Sequence, residues 1–274
     1  MIMNTQGRYY ELCVLIPCFN NLQGLKKSIE SIFYDKGKYL IVVVDDGSSE
    51  IISNETVSGR NSKEAPVHII RLQQNKGIAV ALNTGLQWIM DTVNCDYIAR
   101  LDCGDTCEAS RFYKQVEHLR VNTDTLLLGS WCYFQNQDKN IRYKHRTPVK
   151  HKSIINSLYF RNVFIHPTII IRRCVLKEVG LYPENYPHAE DYAWFWQIAN
   201  HGKTAILPLY LVVCELNMAG ISYKNRRLQL QNRIAILKKF GHKFALRQLA
   251  IIKTWLLMKI PYSIILQIKK LISF

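Results

Sequence analysis

The run Leu40-Ile41-Val42-Val43-Val44-Asp45-Asp46-Gly47-Ser48 decides how this chain is read. Consecutive apolar, mostly β-branched residues mark a strand buried on both faces, as in a parallel sheet covered by helices. The Asp-Asp-Gly-Ser that follows is a turn sequence, and it leaves two carboxylates at the carboxyl end of the strand. Open α/β sheets bind ligands beyond that end of their strands.

Working outward from this run, Leu12 to Ile16 is a β-rich segment stopped by Pro17, and Leu22 to Phe33 carries apolar residues at helical spacing. Glu50 to Pro66 reads as a loop or weak helix, Val67 to Leu72 as a strand and Gly77 to Val93 as a helix. Asp96 to Leu101 is a further strand, ending in Asp102-Cys103-Gly104-Asp105, so two strands deliver acids to one crevice. Beyond Arg120 the pattern predicts a strand at Thr125 to Phe134, a polar loop from Asn136 to Lys144 and a helix near Ser153 to Phe160. A strand at Thr168 to Ile171 and a helix from Glu190 to His201, stopped by Gly202, complete the body. Helices at Lys224 to Phe240 and Phe244 to Lys259, the last broken by Pro261, form the C-terminal end. Strands alternating with helices imply an α/β domain with a mostly parallel central sheet flanked by helices.

The 274 residues are 48% apolar, which excludes disordered, collagenous and fibrous classes. A chain of this length buries enough surface to fold without a disulfide or metal staple. Its eight cysteines form no CxxC pair and sit mostly among apolar residues, so reduced thiols in a cytosolic protein are expected. Met1 to Glu11 has no apolar run behind a basic start, and no secretory leader is expected there.

The charge is unevenly placed. Residues 216–274 hold twelve Lys and Arg and no acid; removing these from the total of +15 leaves +3 for residues 1–215. The expected organisation is a near-neutral body at 1–215 and a basic helical extension at 216–274. Its cations alternate with apolar residues, as in Thr254-Trp255-Leu256-Leu257-Met258, which favours a helix lying on an anionic membrane surface. The longest charge-free run, Ile260 to Ile268, is too short to span a bilayer. A non-catalytic nucleic-acid-binding protein using this end is the alternative from another class, although the interleaved aromatic and glycine pattern of common RNA modules is missing.

The chain carries no GxGxxG after its first strand, no GxxxxGK[ST], no HExxH and no GxSxG. What remains is carboxylate chemistry. Asp102 and Asp105 can offer hard oxygens to Mg²⁺ or Mn²⁺, ions that share their shell with substrate phosphates. His188-Ala189-Glu190-Asp191-Tyr192 can supply a general base. Each cluster also has a plain structural reading: Asp-Asp-Gly-Ser and Asp102 to Asp105 as turns, Glu190 and Asp191 as helix-capping acids, Trp194 as core.

The order Pro17-Cys18-Phe19-Asn20, Val44-Asp45-Asp46-Gly47-Ser48, Asn75-Lys76-Gly77, Arg100-Leu101-Asp102-Cys103-Gly104-Asp105, His166-Pro167-Thr168 and Glu190-Asp191 resembles the family 2 glycosyltransferases, which have the GT-A fold. The resemblance runs from about Leu12 to Glu215. It implies a nucleotide-binding part at about 11–106, an acceptor part at 107–215, and inverting transfer of a sugar from a nucleotide diphosphate donor, a UDP-sugar by preference, to an acceptor hydroxyl. Motif by motif, it implies that Pro17, Phe19, Asn20, Asp45, Asp46, Lys76 and Asp102 contact the nucleotide. Asp105, with Asp102, would hold Mn²⁺ or Mg²⁺; Asp191, with Glu190 beside it, would be the base; His166 would lie near the acceptor, and a face of Trp194 lining the acceptor cleft is the alternative to its packing in the core.

One departure stands out: where the family carries an acid, this chain has Gly104, which leaves Asp105 the better metal ligand and raises the reading of a transferase that has lost its metal. The bacterial members of the family suggest a lipid-linked saccharide acceptor, surface polysaccharide synthesis such as O-antigen or capsule, and a peripheral position on the cytoplasmic face of the inner membrane.

Overall fold

The computed structural model describes residues 9–57, 65–136, 141–215 and 225–260. Its centre is the strand read first, β2 (Tyr39–Asp45), buried along its whole length. It lies parallel between β1 (Tyr9–Cys18) and β3 (Val67–Arg71), and β1 also pairs in parallel with β4 (Asn94–Arg100). Register sets Cys18 beside Asp45, Asp45 beside Arg71 and Leu15 beside Arg100, so the strand ends that carry polar groups are neighbours.

Side chains alternate along β1 between two cores. Leu12, Val14 and Ile16 meet Leu25 and Ile29 of α1 (Leu22–Glu30) and Phe112 and Val116 of α4 (Arg111–Val121). Cys13 and Leu15 meet Leu82 and Leu86 of α3 (Ile78–Thr92), in a core shared with Trp194 and Phe195 of α7 (Glu190–His201). The short α2 (Asn54–Val57) lies within the stretch read as a loop or weak helix.

Four more strands extend the sheet: β5 (Thr106–Cys107), β6 (Thr125–Asn136), β8 (Ile170–Arg172) and β9 (Lys203–Glu215), in the order β3-β2-β1-β4-β8-β6-β9-β5. β8 runs antiparallel to β4 and β6, whereas β9 runs parallel to β6. Residues 141–144, expected as loop, belong to β7 (Ile141–His145), a ninth strand antiparallel to β6. Its sequence is polar because this ribbon projects into solvent, with Tyr143 exposed. The strand expected at Thr168 to Ile171 begins later, since His166–Thr168 is a 3-10 turn. α5 (His151–Leu158) and α6 (Cys174–Glu178) complete the body.

Two helices follow, α8 (Arg226–Phe240) and α9 (Phe244–Lys259), close to their expected bounds. The proposed boundary at 216, the break at Pro261 and the apolar run to Ile268 lie outside the described residues.

Candidate active site

The crevice is built at the carboxyl ends of β1, β2 and β4. After β2, Asp45 is wholly buried: one carboxylate oxygen accepts the Ser48 amide at 2.9 Å and the other pairs with Arg71 at 2.7 Å. Asp46 accepts the amides of Lys76 at 2.8 Å and Gly77 at 2.9 Å, which latches the loop after β3 onto the end of β2. Gly47 between these contacts has φ +74°, and a Cβ there would lie 2.4 Å from the Gln74 carbonyl carbon, so only glycine fits.

From β1, Asn20 adopts φ +50°, gives its amide to Ser48 Oγ at 2.9 Å and accepts the Ser49 amide at 2.9 Å. Pro17 is buried within β1, Phe19 beside Asn20 is 46% exposed and Lys76 is exposed, which leaves a ring and an ammonium free at the rim of a hydrogen-bonded floor. The structure thus brings Pro17, Phe19, Asn20, Asp45, Asp46 and Lys76 into one loop cluster. It spends both Asp45 oxygens and both Asp46 oxygens on fixing that cluster.

After β4, the buried Arg100 is the hub. Its Nε donates to Asp102 at 2.6 Å and its Nη1 meets His166 Nε2 at 2.5 Å, while His166 also meets the Tyr182 hydroxyl at 2.8 Å. A guanidinium only donates, so Nε2 accepts and the ring is neutral, with its proton on Nδ1. Burial and the charge of Arg100 hold the His166 pKa well below its ordinary range, in agreement with that state. Trp194 is 1% exposed and packs against Tyr182 at 4.1 Å between ring centroids. That burial corrects its assignment to the acceptor: it supports Tyr182 from the core and has no face to offer a sugar.

Asp105 is buried; its carboxylate accepts the Glu215 amide at 2.8 Å. Burial, then the charge of Asp102, pushes its pKa up to about 8. Ser28 Oγ donates to the Asp105 carbonyl at 2.8 Å and accepts the Gly104 amide at 2.9 Å, which tethers this turn to α1. A Cβ at Gly104, where φ is +105°, would lie 3.1 Å from the Glu215 carboxylate, itself paired with Lys27.

Among the described residues no three of His, Cys, Asp and Glu are arranged as a metal site. The donor set still fits Mg²⁺ or Mn²⁺, which take one or two carboxylates and fill the rest of the shell with water and phosphate. A buried carboxylate raised by a like-charged neighbour is short of positive charge, as such a place would be.

The N-cap of α7 is Ala189, whose side chain caps nothing, and it follows His188 in a strained conformation at φ +65°. Asp191 accepts Asn162 Nδ2 at 2.8 Å on one oxygen and the Tyr192 amide at 2.6 Å on the other. Burial, then the charge of Glu190, raises its pKa to about 6, against the Tyr192 amide and Arg100; Asp102 adds to the rise. The two acidic centres are therefore close enough to sense each other, with Arg100 between them in charge.

Several groups that shape the site were not singled out from the sequence. Asn162 orients Asp191, Tyr182 closes the His166 chain and Arg71 neutralises Asp45. Arg111, fully buried on α4, donates to the Arg100 carbonyl at 2.7 Å and to Gln115 at 3.0 Å. Only Arg71 carried a signal, as the cross-strand partner of Asp45.

Residues 13–180 match the model of the family described as Glycosyl transferase family 2. An uncharacterized glycosyltransferase of Methanocaldococcus jannaschii is 29% identical over 69% of this chain, which spans 64% of that relative's length. The amylovoran biosynthesis glycosyltransferase AmsE of Erwinia amylovora is 26% identical over 88% of each chain. The UDP-Gal:alpha-D-GlcNAc-diphosphoundecaprenol beta-1,3-galactosyltransferase of Escherichia coli is 30% identical over 58% of this chain and 56% of its own. Among solved structures, S. aureus TarS residues 1–349 with UDP-GlcNAc superposes with a TM-score of 0.62 at 15% identity, over 89% of this chain and 71% of that one. The Pyrobaculum calidifontis mannosyltransferase PcManGT, with GDP-Man and Mn²⁺, gives 0.57 at 16% identity over 85% and 64%. The fold is GT-A.

Proposed function

The chain belongs to glycosyl transferase family 2, and on that premise we propose that this glycosyltransferase moves a sugar, with inversion, from a UDP-sugar to a hydroxyl of a lipid-linked or polysaccharide acceptor in surface polysaccharide synthesis. The observation that carries the reading is the pair of acidic centres, Asp102 with Asp105 and Asp191, each held by its own hydrogen bonds and both in the charge field of Arg100. Inversion in one displacement needs a base on the acceptor side and a charge sink on the leaving-group side, and nothing covalent. The names of the Escherichia coli and Erwinia amylovora relatives favour a lipid-linked or polymeric acceptor, and UDP-GlcNAc bound to the TarS neighbour favours a uridine donor.

In this reading Phe19 and Lys76 meet the nucleotide above the loop floor fixed by Asn20, Asp45 and Asp46. Asp105, with Asp102, would hold Mn²⁺ or Mg²⁺, which supplies positive charge against the departing diphosphate when bound. Asp191 takes the acceptor proton while Asn162 fixes the carboxylate, and a pKa raised to about 6 makes it a stronger base than an ordinary aspartate while still charged at neutral pH. His166, neutral and tied through Nε2 to Arg100 and Tyr182, keeps the β4 turn in place.

No helix among the described residues is long and apolar enough to cross a membrane. Residues 225–260 have cations and no acid, and α9 exposes Leu249, Ile252, Trp255 and Leu256. These support a peripheral position on an anionic membrane over nucleic-acid binding; the cytoplasmic face of the inner membrane is the place proposed for it.

A panel of nucleotide sugars tests this function by thermal stabilisation and donor hydrolysis, with and without Mn²⁺. A UDP-sugar should stabilise the protein, more so with Mn²⁺ present and no longer so in Asp105→Ala. Indifference to every nucleotide sugar would refute the reading.

A further inference from the structure

Asp191 opens onto a cavity of about 170 Å³ whose other walls include Asn162 and Tyr192 from the body and Gln229 and Arg233 from α8. The C-terminal extension therefore completes the acceptor side, and it is fastened there: Gln229 donates to the His188 carbonyl at 2.9 Å and Asn232 to the Pro187 carbonyl at 2.8 Å.

Arg233 lies over the Tyr192 ring, 5.3 Å from its centroid, and its Nη2 donates to the Tyr159 carbonyl at 3.3 Å. Its Nε is buried and finds no acceptor. Lys253 of α9 reaches the next carbonyl, Phe160, at 3.5 Å, and Arg161 is the residue after that. A single turn of the body, Tyr159 to Arg161, thus gathers cations from the body, from α8 and from α9. Among the described residues none of the three is ion-paired with an acid. Burial, then the charges of Arg233 and Arg161, lowers the Lys253 pKa. Of the three, Arg233 lines the cavity, and like charges gathered on one turn favour an anion. Guanidinium groups with spare N–H donors suit phosphate oxygens in particular.

We propose that Arg233, Lys253 and Arg161 form a binding site for a phosphate group beside the Asp191 cavity, built jointly by the catalytic body and the C-terminal helices. Assigning that phosphate to the acceptor rests on the proposed function: a saccharide with its accepting hydroxyl at Asp191 would turn the phosphate on its own anomeric carbon towards Arg233. A phospholipid headgroup presents the same chemistry to the same cations.

The test uses the full chain and one saccharide in two forms, a glycosyl diphosphate lipid and a neutral alkyl glycoside. For an acceptor phosphate, Arg233→Ala should erode the KM preference for the diphosphate form about tenfold, as the loss of one charge-assisted hydrogen bond allows, and Arg233→Lys should restore part of it. Co-sedimentation with phosphatidylglycerol and phosphatidylcholine vesicles reads the other source: selective loss of phosphatidylglycerol binding in Arg233→Ala and Lys253→Ala, with the KM preference intact, assigns the site to a headgroup. Variants that change neither the preference nor vesicle binding, or that raise KM equally for both acceptors, overturn the proposal. If the wild-type protein binds no nucleotide sugar, the transferase reading fails separately, and the vesicle arm still reads the phosphate site.

Discussion

Asp191 and Glu190 are adjacent acids with different surroundings, and the difference favours Asp191 as the proposed base. Asp191 is held by Asn162 and lies in the charge field of Glu190, Asp102 and Arg100. Because the base works as a carboxylate and its pKa is raised to about 6, transfer at saturating donor should be weak at pH 5, rise through about pH 6 and level off above. Glu190→Gln removes the second-largest cause of the rise, so its pH-rate curve should shift to lower pH. Loss of the rising limb in that variant would make Glu190 the base.

At the scale of elements, the loop after β2 shows what the sequence could reveal. Asp-Asp-Gly-Ser was readable as a turn at a strand end, and the structure explains each letter: Asp45 for Arg71 and Ser48, Asp46 for the β3 loop, Gly47 for its positive φ. Gly47→Ala should cost on the order of 1–3 kcal/mol. In a calorimetric scan that is a fall of several degrees in Tm, and the displaced latch should also weaken stabilisation by UDP. An unchanged Tm would mean that the turn relaxes freely.

Other elements were hidden for physical reasons. The strand β9 was not anticipated: Pro208 interrupts it, and its pairing shifts between Leu207, opposite Ser130, and Tyr210, opposite Trp131. The helix α4 buries Arg111 and Gln115 on its inner face, which erased the apolar period by which a helix is recognised. The parallel strands β1 and β2 were legible as unbroken apolar runs, and the helix α7 by the Gly202 that stops it. In the site, acids at strand ends were legible. The groups that position them, Arg100, Asn162 and Tyr182, come together only through tertiary packing.

Across the whole molecule, charge and chemistry separate. The proposed site acids, Asp102, Asp105 and Asp191, belong to the body, whereas the charged residues of α8 and α9 are all cations, and α9 exposes Leu249, Ile252, Trp255 and Leu256. Leu249→Glu with Trp255→Glu should abolish sedimentation with anionic vesicles and leave stabilisation by UDP intact. Retained sedimentation would place membrane binding elsewhere.

The central claim is that Asp191 deprotonates an acceptor hydroxyl while a separate acidic centre serves the donor. Its most direct test measures UDP affinity in the presence of Mn²⁺ and glycosyl transfer side by side in wild type and Asp191→Asn. The account predicts UDP affinity unchanged within about twofold and transfer lowered by about 10²–10⁴, the typical contribution of a general base. Transfer at the wild-type rate in Asp191→Asn, or loss of UDP binding along with transfer, would contradict it.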